Sequence, residues 1–186
     1  MRIQAVKDVE KTFLEPSFRY FVENGLENTS VTDLCKAMNI SYGSLYYWFD
    51  GKDDFYISVM EYGIEKVATK LFEVAFETLG TPELFFDMFL DEADKYLPEL
   101  RAIYQVTASP EYGKIMRRRS MPFKETYAKY INELSKILGI GVDTVTPVIY
   151  LLISVLSDYV VWEDRESSQL QLQFLHDSVF LKCKNK

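Results

Sequence analysis

The 186-residue sequence is poor in the residues that carry covalent or metal chemistry. Its two cysteines, Cys35 and Cys183, lie far apart. Such a pair supplies neither a disulfide framework nor a metal-ligand motif, and a reduced, cytoplasmic setting is expected. The single histidine, His176, has no second His or Cys at ligand spacing, so no metal is expected. No glycine-rich phosphate loop, nucleophile elbow or paired catalytic constellation is present, which argues against an enzyme and against a resident cofactor. Charge follows Met1 at once, without a signal-peptide pattern. The longest apolar run, residues 145–161, is broken by Thr146, Pro147, Ser154, Ser157 and Asp158. It reads as too short and too polar to span a bilayer, so no membrane association is expected. Strand patterns, internal repeats and low-complexity linkers are also missing.

Positive charge is scarce as well. Lys and Arg total 21 against 28 Asp and Glu, for a net charge of −7. Residues 1–52 hold six basic and seven acidic side chains and net −1. There is no basic stripe of the kind that marks a nucleic-acid surface. Any phosphate contact must come from few cations, from hydroxyls and from helix N-termini, giving modest non-specific affinity and a shallow salt dependence.

What is plentiful is apolar and aromatic surface, 48% and 15% of the chain, enough for a substantial core. The chain is organised around residues 29–55, TSVTDLCKAMNISYGSLYYWFDGKDDF. Val31, Leu34, Ala37 and Met38 fall at helical spacing. Ser30 and Asp33 have the spacing of a capping box, and Asn39 suits the left-handed residue that stops a helix. Ser41 then caps a second short helix, residues 42–49. Leu45 and Phe49 point inward at i and i+4, leaving Tyr42, Ser44, Tyr47 and Trp48 pointing elsewhere and Gly43 presenting bare backbone. Asp50, Gly51, Lys52 and Asp53 close the unit and open a third helix. Two short helices and a tight turn, the second helix bearing polar aromatic tips, describe a helix-turn-helix.

This stretch resembles the DNA-binding segment of the TetR family of bacterial repressors. The resemblance rests on Thr29-Ser30-Val31, Asn39-Ile40-Ser41, Leu45-Tyr46-Tyr47-Trp48-Phe49 and Lys52, and it covers residues 14–60. It implies an all-α chain: a three-helix DNA-binding head over residues 1–51, then a helical ligand-binding and dimerisation domain over residues 52–186, about nine helices in all. The positions matching the family's DNA contacts are Ser30, Thr32, Tyr42, Gly43, Ser44, Tyr46, Tyr47, Trp48 and Lys52. Tyr46, Tyr47 and Ser30 suit phosphate oxygens, Tyr42 and Ser44 suit base edges, and Lys52 adds charge at a helix start. One or two of the aromatics, Tyr46 above all, are equally read as packing residues. The resemblance further implies a homodimer on double-stranded DNA, released by a small-molecule inducer.

Elsewhere the pattern is helical. Residues 2–24 form a first helix, and Pro16 inside it costs about 3 kcal/mol unless relieved, so a kink or restart is expected at residues 12–16. A long helix follows over 52–78. Pro82 opens a run to Tyr96, and Pro98 opens another to Ala108. Residues 111–138 are helical with a kink or break at 120–122, where Pro122 intervenes. Residues 142–163 and 167–182 complete the chain.

The aromatic middle could line an apolar or aromatic ligand pocket, with Phe86, Phe89, Tyr104, Met116, Phe123, Tyr127, Tyr150 and Tyr159 as candidates, although plain core is the commoner fate of such residues. Asp87, Asp91, Glu92 and Asp94 would favour a cationic ligand or form a solvated face. Arg117-Arg118-Arg119 is read as a solvated cluster balancing nearby acids. Leu152, Leu156, Tyr159, Leu172, Leu175 and Val179 are the expected dimer interface, with a monomer core as the other reading. A protein–protein adaptor that kept the fold without DNA binding is the alternative function, and a helical enzyme or carrier a more distant one.

Overall fold

A computed structural model of the chain describes residues 9–78, 82–119 and 121–184. Among these residues there are helices and turns and no strand. A π-helical turn, Glu10–Leu14, leads into α1 (Glu15–Asn24), α2 (Val31–Met38), α3 (Tyr42–Trp48) and the long α4 (Lys52–Thr78). There follow α5 (Pro82–Lys95), α6 (Leu97–Ala108), α7 (Tyr112–Arg119), α8 (Met121–Leu138), α9 (Val142–Trp162) and α10 (Arg165–Lys184). The fold is all-α, as expected. Ten helices are described where about nine were expected, and the break foreseen at residues 120–122 falls on Ser120, which lies outside the described residues. The turn at Gly80 and Thr81 lies outside the described residues.

Pro16 is accommodated by a change of helical step. The Glu15 N–H donates to the Glu10 carbonyl, an i→i−5 bond, and α1 begins at once with Pro16 in its first turn. A proline lacks the N–H that an α-helical ladder would need there. Placing the wider π step just before it puts the missing donor where a first turn needs none.

The chain divides into two compact units. One comprises Met1–Val67 and Pro98–Ser120, the other Ala68–Leu97 and Met121–Lys186. These packing units do not follow a cut at residue 52: α4 is shared between them at Val67, and α6 and α7 pack with the helix-turn-helix.

The first unit has an aromatic core. Phe13 meets Phe49 edge-on at 6.0 Å, Phe49 meets Phe55 at 4.9 Å, and Phe21 meets Tyr56 at 5.0 Å. Phe55, Tyr56 and Ile57 are successive and fully buried, just after the exposed Lys52 and Asp53 that open α4. Each such ring pair contributes roughly 0.5–1.5 kcal/mol beyond its buried area.

In the second unit α9 packs on α8 and α10, and α10 packs on α5. Length and composition alone make α9, at 21 residues, apolar enough to cross a membrane. This corrects the view that the run is too short and too polar. Its buried face (Val145, Val148, Ile149, Leu152, Val155, Leu156, Tyr159 and Val160) is nevertheless spent within the unit as a core helix. Arg165, at the start of α10, reaches Asp91 Oδ1 at 2.5 Å and Asp94 Oδ2 at 3.2 Å. Gln169 donates to Asp87 at 2.7 Å and the Tyr159 hydroxyl donates to Asp94. Three of the acids read as a cationic site or solvated face are therefore a latch between α5 and the two last helices.

Candidate nucleic-acid interface

The helix-turn-helix is set by local chemistry. Ser30 is the N-cap of α2: its Oγ accepts the Asp33 N–H while Asp33 accepts the Ser30 N–H at 3.1 Å, a complete capping box. The two hydrogen bonds from Ser30, side chain first, hold the Asp33 carboxyl below its ordinary range. Asn39 ends α2 in the left-handed region, at φ 54°, where asparagine is the best tolerated side chain after glycine. Ser41 Oγ then accepts the Ser44 N–H at 3.1 Å and starts α3.

Leu45 is wholly buried and Phe49 nearly so, and they fix the inner side of α3. Truncating Leu45 to alanine would cost about 2–5 kcal/mol. The outer side is left bare: Tyr42, Tyr46 and Trp48 are close to half exposed and Tyr47 is 79% exposed. Tyr42 stacks on Tyr46 at 6.1 Å, and Tyr47 meets Trp48 edge-on at 5.1 Å. Tyr46, expected to be the first to pack inward, stays at the surface.

The structure brings some of the expected residues together. Thr32, in the first turn of α2, hydrogen-bonds the Tyr42 hydroxyl, tying the two helices across the turn. Ser44 Oγ lies 3.0 Å from Ser41 Oγ. Ser30 is committed to its cap, so its hydroxyl is offered outward only if it leaves Asp33. At Gly43 a Cβ would meet nothing closer than Ser41 Oγ at 3.8 Å, so the fold itself does not demand glycine there.

Lys52, the first residue of α4, has an exposed side chain. Its Nζ stands 5.1 Å from the Tyr56 ring centroid and 6.0 Å from that of Tyr112. A hydrogen bond from the ammonium to Tyr112 raises its pKa, so it stays charged at neutral pH. Sequence reasoning missed both tyrosines. Tyr56 carried a signal, being one turn from Lys52 on the same helix. Tyr112 carried none, since it arrives from α7. Tyr56 also donates its hydroxyl to the Thr29 carbonyl at 2.6 Å, just before α2.

The expected pocket residues are not gathered into one site. Tyr104 and Met116 belong to the first unit and the other six to the second. Tyr150 is half exposed, Phe89 is buried, Tyr159 bonds Asp94, and Tyr127 lies edge-on to Phe72 at 6.2 Å. Among the candidates with described side chains, Phe86 alone lines the second unit's apolar cavity, of about 40 Å³, whose other walls include Phe72, Phe76, Phe85, Ile149 and His176. The side chain of Phe123 lies outside the described residues.

The expected dimer residues all lie on α9 and α10. Leu152, Leu156, Tyr159, Leu172 and Leu175 are all buried within one chain, and Leu152, Leu172 and Leu175 face the cavity. The side chain of Val179 lies outside the described residues. The outward stripe of α9 is Tyr150, Leu151, Val161 and Trp162, and that of α10 is Leu170 and Phe174. On α9 the exposed Ser154 and Asp158 lie between these apolar side chains.

Residues 13–59, from the end of the π-helical turn into α4, match the family described as bacterial regulatory proteins, tetR family. The chain is also similar to an uncharacterized HTH-type transcriptional regulator, YuxN, of Bacillus subtilis strain 168, at 29% identity over 69 residues. That match spans 37% of this chain and 24% of the relative's length. The family match falls on the stretch whose caps, turn and buried anchors are described above, and over residues 13–59 the chain is similar to the tetR family of bacterial regulatory proteins.

Proposed function

We propose that this chain is a cytoplasmic, ligand-responsive repressor that binds a near-palindromic operator in double-stranded DNA as a homodimer. The observation that carries the reading is α3 itself. A seven-residue helix anchored by Leu45 turns Tyr42, Ser44, Tyr46, Tyr47 and Trp48 outward. Such a helix fits the major groove, with hydroxyls for phosphates and base edges. Lys52, held charged beside Tyr56 and Tyr112, supplies a phosphate contact.

Residues 1–51 read DNA in this scheme, and residues 52–186 dimerise and take the effector. The exposed apolar side chains of α9 and α10, Leu151, Trp162, Leu170 and Phe174 among them, support pairing, because exposed apolar clusters mark interaction sites. An apolar or aromatic inducer suits the apolar walls around Phe72, Phe76 and Phe86, and it must displace side chains to enter a 40 Å³ space. Half-sites a helical turn apart tolerate little change in the spacing of two heads, so a small shift would release DNA.

The test is binding of purified protein to the DNA upstream of its own gene, at low and moderate salt. Retarded complexes lost in Tyr47→Ala and Lys52→Ala would support the reading. The net −1 charge of residues 1–52 and the bare rings of α3 favour a second reading, a protein–protein adaptor. Failure to retain any duplex, in a genome-wide selection as well, would put that reading first.

A further inference from the structure

The outward side of α3 lacks the side chains that read purines by paired hydrogen bonds. Residues 41–49 run Ser-Tyr-Gly-Ser-Leu-Tyr-Tyr-Trp-Phe, with no Arg, Lys, Asn or Gln. Bidentate readout of guanine uses Arg or Lys, and that of adenine uses Asn or Gln. The nearest amide, Asn39, is the left-handed cap of α2. The hydroxyls at the start of α3 are already engaged, Tyr42 with Thr32 and Ser44 with Ser41. What remains facing outward is ring surface, led by Tyr47 at 79% exposure and Trp48 at 47%, together with the Tyr46 and Tyr47 hydroxyls and the indole N–H, which suit phosphate oxygens and offer no bidentate pair. In the major groove the apolar group on a base-pair edge is the C5-methyl of thymine. With residues 1–52 netting −1, phosphate attraction adds little to offset weak base contacts.

We infer that this chain recognises its operator through thymine methyl groups packed against the rings of α3, so that the base pairs under α3 are A·T and T·A. The inference rests on the DNA-binding reading above and names what that interface selects. Tyr47 and Trp48, edge-on to each other at 5.1 Å, form a corner of two ring surfaces. Such a corner can flank a methyl without any fixed hydrogen bond.

The experiment begins with selection of bound sequences from a randomised duplex pool by the full-length protein at low salt. The winning duplex is then remade with deoxyuridine for thymidine, which removes only the methyl, and separately with 7-deazaguanine for guanine. The expected result is an A·T-rich half-site whose affinity falls about fourfold for each contacted methyl removed. Deazaguanine should leave affinity within about twofold, since a lost bidentate guanine contact would cost about tenfold or more. Affinity unmoved by deoxyuridine, or lost with deazaguanine, overturns the inference while leaving DNA binding intact. Separated strands bound as tightly as the duplex overturn it too, because rings stacking on unpaired bases would then explain the affinity. No selected duplex at all overturns the DNA reading with it.

Discussion

Gly63 of α4 lies directly against the ring of Phe18 of α1: a Cβ built on Gly63 would stand 2.1 Å from Phe18 Cε2. Phe18 is buried and also meets Tyr62 edge-on at 6.5 Å, so its ring has little room to retreat. Helix propensity alone would make Gly63→Ala stabilising by about 1 kcal/mol. Overpacking should reverse the sign, with a net loss of roughly 1–3 kcal/mol. Urea unfolding of the variant measures it, and a midpoint at or above that of the parent would show that α1 shifts freely.

Tyr56 predicts an alkaline limit to stability. Burial raises its pKa, with the nearby Tyr112 adding to the effect. The folded protein therefore keeps the phenol neutral while the unfolded chain releases the proton near pH 10. Stability from this group is complete below about pH 10 and is lost as pH rises towards the raised value, by up to roughly 1.4 kcal/mol per pH unit. Tyr56→Phe should flatten that decline. It should also cost about 1–3 kcal/mol at pH 7, because the Thr29 carbonyl loses its donor. Urea midpoints from pH 7 to pH 11 check both effects, and an unchanged alkaline slope would count against the assignment.

The helix-turn-helix was legible in the sequence because its determinants are local. Ser30 with Asp33, Asn39 and Ser41 each act within four residues, and Leu45 with Phe49 is an i, i+4 pair. The acids of α5 were not legible, since Arg165 lies 71 residues from Asp94 and 74 from Asp91 in the chain. The outward side of α9 was legible in part: Asp143, Ser154 and Asp158 mark it, while the exposed Tyr150, Leu151, Val161 and Trp162 beside them read as core. The place of α6 and α7 beside the head was unreadable as well, because only tertiary packing brings Tyr112 to Tyr56, at 5.9 Å.

The outward stripes of α9 and α10 predict where a dimer can be broken. Leu151 is 51% exposed and Phe174 is 74% exposed. Leu151→Glu combined with Phe174→Glu should leave the helix content of a single chain unchanged. Burial of two carboxylates in a paired interface would cost several kcal/mol, enough to shift micromolar protein to monomer. Sedimentation equilibrium reads the mass, and circular dichroism reads the fold. A dimer mass retained by the double variant would place the contact elsewhere.

Lys52 and Tyr112 make the last prediction, and the two side chains must be tested together. A lysine that neutralises one phosphate contributes about −0.9 to the slope of log affinity against log salt. Lys52→Ala should therefore flatten that slope by about one and weaken binding most at low salt. Tyr112→Phe keeps the buried ring and removes only the hydroxyl that engages the ammonium. If that hydroxyl holds Lys52 where the phosphate lies, its loss should weaken binding by about tenfold or more, the scale of one hydrogen bond to a charged group. In the Lys52→Ala background the same change should do nothing, because the group it positions is gone. Additive losses would mean that Tyr112 supports the head by packing alone, and an unaltered slope in Lys52→Ala would remove Lys52 from the phosphate contacts.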